Sequence, residues 1–197
     1  MKIKLLIIAI TMCSNLFAQT EKNDLARVKK VNGVEIYVLS EPLREYETVA
    51  DVGTGFKAES LLTGGLVNKS ISERMSQFVK RVKSDNPSVD AVIYSSGKRV
   101  IGVKFKKEGS AEDIGVARVI RYKGLYTFVM CEPLINYEVL KTKGGGVKWK
   151  SAMTGGVINN SIEDDVQKII DKLKDFKGVE AFLFDGSKVG SAISFKK

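Results

Sequence analysis

Residues 60–73 read SLLTGGLVNKSISE, and residues 151–164 read SAMTGGVINNSIED. Threonine, two glycines, asparagine, serine and isoleucine return in the same order after 91 positions. Extending the comparison outward from this stretch, residues 26–72 align with 117–163 at that offset without a gap. Ala26-Arg27-Val28 returns as Ala117-Arg118-Val119, Glu41-Pro42-Leu43 as Glu132-Pro133-Leu134, and Tyr46-Glu47 as Tyr137-Glu138. Beyond residue 86 the offset becomes 90, and Ala91, Lys98 and Phe105 meet Ala181, Lys188 and Phe195. Self-similarity at one long period marks a duplicated structural unit and sets the architecture before any single residue is read.

The stretch is also a helix start. Ser70 followed by Glu73, and Ser161 followed by Asp164, are capping boxes, in which the hydroxyl takes a free N–H and the acid reaches back to the cap. Ile71, Met75, Phe78, Val79 and Val82 then fall on one helical face, and Ile162, Val166, Ile169, Ile170 and Leu173 repeat it. Asn86-Pro87 stops the first helix, because the residue before proline is driven out of the helical region. Gly178 is the expected left-handed stop of the second.

Strands are expected on both sides of each helix. GVEIYVLS (33–40), ending at Pro42, and residues 46–52 precede the first, and VDAVIY (89–94) and residues 99–105 follow it. Copy two offers residues 124–131, 137–142, 179–184 and 189–195. The expected fold class is therefore α+β: two tandem ββαββ repeats, each with one helix packed on its own mainly antiparallel four-stranded sheet. The expected organisation is a signal peptide at 1–18, a leader at 19–25, repeat 1 at 26–107, a linker at 108–116 and repeat 2 at 117–197.

The first twenty residues, MKIKLLIIAITMCSNLFAQT, have a basic start, a short apolar core and a cleavage site after Ala18, as in a secretory signal peptide. This predicts a periplasmic or secreted protein with no transmembrane helix after cleavage. Cys13 offers the alternative of a lipid-anchored thiol, which the bulky Met12 before it disfavours. Loss of Lys2 and Lys4 takes the net charge from +9 to +7, spread over both copies. Such a diffuse excess favours anionic surfaces in general. An envelope protein or an anionic envelope component is the expected partner, and nucleic acid is not.

The chain has no histidine, and Cys131 is the one cysteine left after cleavage. Histidine-based triads are thereby excluded and a zinc site nearly so, and no catalytic residue, metal ligand or cofactor is assigned. Cys131, whose counterpart is Ser40, reads as a small residue at a strand end, with an intermolecular disulfide as the alternative. The binding candidates are Lys57 and Lys148, which trail the glycine clusters at 53–55 and 144–146, and the lone Trp149 beside Lys148. Backbone N–H groups with an ammonium would grip an anion there, although a glycine-rich bend with solvated lysines explains the same residues.

YETVADVG (46–53), a helix and SVDAVIY (88–94), and again YEVLKTKG (137–144), a helix and GVEAFLF (178–184), resemble small bacterial envelope domains of the heavy-metal-binding-domain type and the outer-membrane stress-sensor lipoproteins related to them. The resemblance implies an α/β fold and an envelope setting. It does not carry a metal role to this chain, which lacks histidines and cysteine pairs. The expected function is that of an exported, non-enzymatic envelope protein that works by binding or structural interaction. The alternatives are a small-ligand, glycan or anion binder using the Gly-Lys loops, and a hydrolase using Glu47 or Glu138.

Overall fold

The computed structural model describes residues 22–53, 70–95, 99–106, 111–144 and 161–196. In chain order, copy one forms β1 (Leu25–Val28), β2 (Lys30–Val31), β3 (Val34–Val38), β4 (Ser40–Pro42), β5 (Tyr46–Gly53), α1 (Ile71–Asp85), β6 (Ala91–Ser95) and β7 (Arg99–Phe105). Copy two forms β8 (Val116–Val119), β9 (Arg121–Tyr122), β10 (Leu125–Val129), β11 (Cys131–Pro133), β12 (Tyr137–Gly144), α2 (Ile162–Leu173), β13 (Ala181–Phe184) and β14 (Val189–Phe195). Each element recurs 91 residues later before the helix and 90 after it.

Two ββαββ units with separate four-stranded sheets are not what the chain forms. Strand takes 50% and helix 23% of the structure, and the strands of both copies join one large mixed sheet. Its order is β12-β14-β13-β10-β3-β6-β7-β5, with β2 added to β3 and β9 to β10. The halves meet at β3 and β10, antiparallel, with Val38 opposite Val129. Within each half, β3 runs parallel to β6, and β10 to β13. A second sheet, in the order β11-β1-β8-β4, pairs the first strand of each copy with strands of the other. Ala26 lies opposite Ala117 there.

Side-chain alternation explains why the sheets merge. Val34, Ile36 and Val38 of β3, and Val92 and Tyr94 of β6, join the apolar faces of α1 and α2 in one core. Tyr37, Ala91, Ile93 and Phe128 point the other way, into a second core closed by Ala26, Val28, Ala117 and Val119 of the small sheet. The central strands are apolar on both faces, the pattern of a sheet covered twice. A single helix on one face would have left the other against water.

The capping boxes form as expected: Glu73 N–H donates to Ser70 Oγ at 3.2 Å and Asp164 N–H to Ser161 Oγ at 3.1 Å. Asn86 caps α1 in an extended conformation. The second helix ends earlier than expected, with Lys174 as its cap, and Gly178 (φ +83°) serves the turn beyond it. The strand expected over 33–40 breaks at Leu39, which has φ +52°, and Met130 repeats the break at φ +55°. This left-handed residue turns the chain out of the large sheet and into the small one. Its N–H stays paired, Leu39 to the Tyr94 carbonyl at 3.0 Å and Met130 to that of Phe184 at 2.8 Å.

Candidate functional site

Lys57, Lys148 and Trp149 lie outside the described residues, so the Gly-Lys loops receive no geometry. Glu47 and Glu138 are described, and both are exposed. They sit on β5 and β12, the two opposite outer strands of the large sheet. Glu47 faces Lys104 across the strand pair, and Glu138 faces Ser194. They cannot act as a carboxylate pair. Cys131 is buried, and desolvation pushes its thiol up to about 12, so it is no nucleophile. Among the described residues no group of three or more acidic or cysteine side chains is arranged to hold a metal, and no helix is long and apolar enough to cross a membrane.

Polar side chains converge instead in copy one, in a cleft of about 380 Å³ at the end of β3. Its floor is Glu35, a buried carboxylate only 5% exposed. Alternation along β3 turns Glu35 to the same face as Tyr37. Glu35 Oε2 accepts from the Tyr37 hydroxyl at 2.8 Å and from the Arg44 guanidinium at 2.5 Å. Arg44 comes from the turn after β4 and lies over the Phe105 ring, 3.6 Å from its centre. Burial, reinforced by Glu35, holds the Tyr37 phenol well above its ordinary range, so it remains a donor.

The rim is charged. Lys30 reaches to 3.8 Å from Glu35 Oε1. Asp90 accepts the Phe105 N–H at 2.9 Å. Lys106 pairs with Glu45 at 2.9 Å, and each group moves the other's proton affinity in the expected sense, Lys106 up and Glu45 down. Gly33 lines the cleft with nothing within 4 Å of where a side chain would start, and Gly115, next to the lining residue Ile114, has only Glu35 Oε1 at 3.8 Å.

Copy two builds the same corner from different residues. Tyr126, Phe128 and Ile135 stand where copy one has Glu35, Tyr37 and Arg44, while Arg121, Glu180, Phe195 and Lys196 replace Lys30, Asp90, Phe105 and Lys106 in kind. Arg121 lies over the Tyr126 ring, 4.3 Å from its centre, and bonds to its hydroxyl. Glu180 accepts the Phe195 N–H at 2.7 Å, as Asp90 does for Phe105. The rim therefore belongs to the architecture, and the Glu35–Tyr37–Arg44 trio belongs to copy one alone. The alignment carried a signal for this site: a glutamate and an arginine in copy one opposite a tyrosine and an isoleucine in copy two.

Comparison of the chain with protein-family models, with characterised proteins and with solved structures yields no match.

Proposed function

We propose that this is an exported, non-catalytic binding protein of the cell envelope, and that the Glu35 cleft of copy one is where it engages its ligand. One observation carries the reading: the fold does not require the charged trio. A buried ion pair costs desolvation, and apolar residues of similar size are often neutral or stabilising by about 1–4 kcal/mol. The second copy does without the ion pair within the same molecule, with Tyr126, Phe128 and Ile135 in place of the trio. A polar network that the scaffold does without, opening on a cleft, is a binding feature. The chemistry favours holding over reacting: Glu35 Oε2 already has two donors, Tyr37 keeps its proton, and Cys131 is sealed. The signal-like start and diffuse positive charge support the envelope setting.

The test gives copy one the residues of copy two: Glu35→Tyr, Tyr37→Phe and Arg44→Ile together. Wild type and variant are isolated from their native envelope and compared by native mass spectrometry and thermal melting. The variant is expected to fold with an equal or higher Tm and to lose a small molecule that the wild type retains. A variant that melts well below wild type and carries the same bound mass would assign the trio to stability and end the reading.

A further inference from the structure

The geometry points to a zwitterion of the α-amino-acid type as the ligand of this cleft, its ammonium on Glu35 Oε1 and its carboxylate at Lys30 and Lys106. The inference rests on reading the cleft as a binding site.

The two oxygens of Glu35 are used unequally. Oε2 receives Tyr37 and Arg44. Oε1 receives no hydrogen bond among the described residues, and Lys30 Nζ, its ion-pair partner, is 3.8 Å away, outside hydrogen-bond reach. The Glu35 side chain is 6% exposed and lines the cleft, so the acceptor capacity that Oε1 keeps is open to that cleft. Arg44 is left incomplete as well, its Nε buried without an acceptor. A half-satisfied polar network costs stability until something completes it. A charged N–H donor completes a carboxylate best, since charge-assisted bonds are about twice as strong as neutral ones.

Charge decides what else the ligand carries. Lys30, Arg44 and Lys106 line the cleft together with Glu35 and Asp90. A bare cation would enter among three cations, and a bare anion would meet two carboxylates. A zwitterion adds no net charge and can put each end beside its opposite. Arg44 is not free for the ligand carboxylate, because its guanidinium is held by Glu35 and the Phe105 face. The lysines remain. The Lys30 side chain is 57% exposed, and the Lys106–Glu45 pair is a surface pair of little net strength.

The test is an amide NMR titration of the full mature chain with L-leucine, and with ethylamine and acetate as the two halves of the zwitterion, at matched ionic strength. L-leucine is expected to shift the Glu35, Asp90 and Lys106 amides saturably, with each half binding at least tenfold more weakly. Glu35→Gln is expected to weaken L-leucine at least tenfold. Lys30→Ala, a change at an exposed side chain, is expected to weaken it severalfold with the fold intact, which keeps the test decisive if Glu35→Gln unfolds. Acetate or ethylamine binding as tightly as L-leucine, or L-leucine binding unchanged by Lys30→Ala, would overturn the ligand class. Retention of a native small molecule by the protein as isolated, with no binding of any probe once that molecule has been removed, overturns this inference alone. No probe binding and no retained molecule remove the cleft reading too.

Discussion

Arg74 and Asp165 occupy the same position in the two copies, and they face each other 2.7 Å apart across the molecule. Val38 opposite Val129 and Ala26 opposite Ala117 are pairs of the same kind. The copies are thus related by an approximate twofold axis, along which each residue meets its own counterpart. An identical residue on such an axis faces its own charge. Here the counterparts have diverged to opposite signs, so the position that would repel in a symmetric pair attracts in this one.

Reversing one member should be costly, and reversing both should restore the contact. The side chains are 16% and 22% exposed, more buried than a surface pair. Arg74→Asp, which sets two carboxylates face to face, is expected to cost about 2–3 kcal/mol, and Asp165→Arg a similar amount. The double exchange is expected to recover at least half of the loss. Urea denaturation of the four proteins measures the coupling, and a double variant no better than the sum of the singles would show that the pair does not interact.

The shared cores predict one unfolding transition for both copies. Cys131 reports it directly, because it sits on β11 opposite Val28 of the other copy. Its thiol, pushed from an ordinary 9.0 to about 12, has roughly a thousandfold less thiolate than a free cysteine at pH 8, besides being out of reach. Native protein is expected to be inert to a disulfide reagent at that pH. In urea, thiol labelling and far-UV circular dichroism should show the same midpoint. Labelling that precedes the loss of strand signal would mean that the copies separate before they unfold.

A glycine exchange sets the two helix-facing cores apart. β7 has Val100 and Gly102 where β14 has Gly190 and Ala192. A side chain started at Gly190 would lie 2.5 Å from Phe184 and 2.8 Å from Ile169, so Phe184 fills the space that Val100 fills in copy one. Gly190→Val, the copy-one residue, is expected to destabilise by about 2–3 kcal/mol through overpacking. Gly102→Ala, the copy-two residue, meets Val82 Cγ1 at 2.3 Å and should cost about 1–2 kcal/mol, since Val82 can shift only partly. Thermal melts of the two variants test this order.

Stability should fall at alkaline pH through Tyr94. Its hydroxyl donates to Glu163 at 2.9 Å, and burial with Glu163 raises its proton affinity far above the ordinary phenol value of 10.0. The folded state keeps the proton after the unfolded chain has lost it. The contribution is therefore complete below pH 10 and declines above it, by at most about 1.4 kcal/mol per pH unit. Tyr37 adds a slope of the same sign. Tyr94→Phe, the residue at the matching position in copy two, is expected to cost about 1–2 kcal/mol at pH 7. The difference from wild type should narrow from pH 10 to 11.5, as read from denaturation midpoints. A constant difference over that range would remove Tyr94 from the alkaline transition.

Much of the chain's local structure was legible in its residues. The capping serines, the helix faces from Ile71 to Val82 and from Ile162 to Leu173, and strands 99–105 and 189–195 all stand where spacing places them. These depend on neighbours within one turn or one strand. The Glu35 site did not stand out in the sequence beyond two differences between the copies, Glu35 against Tyr126 and Arg44 against Ile135. Glu35 and Arg44 are nine residues apart, and their contact follows from the kink at Leu39, which no local pattern requires of a leucine.

Sequence alone determined the duplication, the helices and most strand positions, because identity at fixed offset and apolar periodicity are local properties. Only tertiary structure decided how the copies combine. VEIYV, AVIYS, LYTFV and AFLF are apolar on both faces, so each needs two covers, and one helix supplies one. Burying the second face took strands from both copies, and that requirement merged two expected sheets into one, while Glu35, Arg44 and Asp90 meet in one cleft through the pairing of β3 with β6 and the turn after β4.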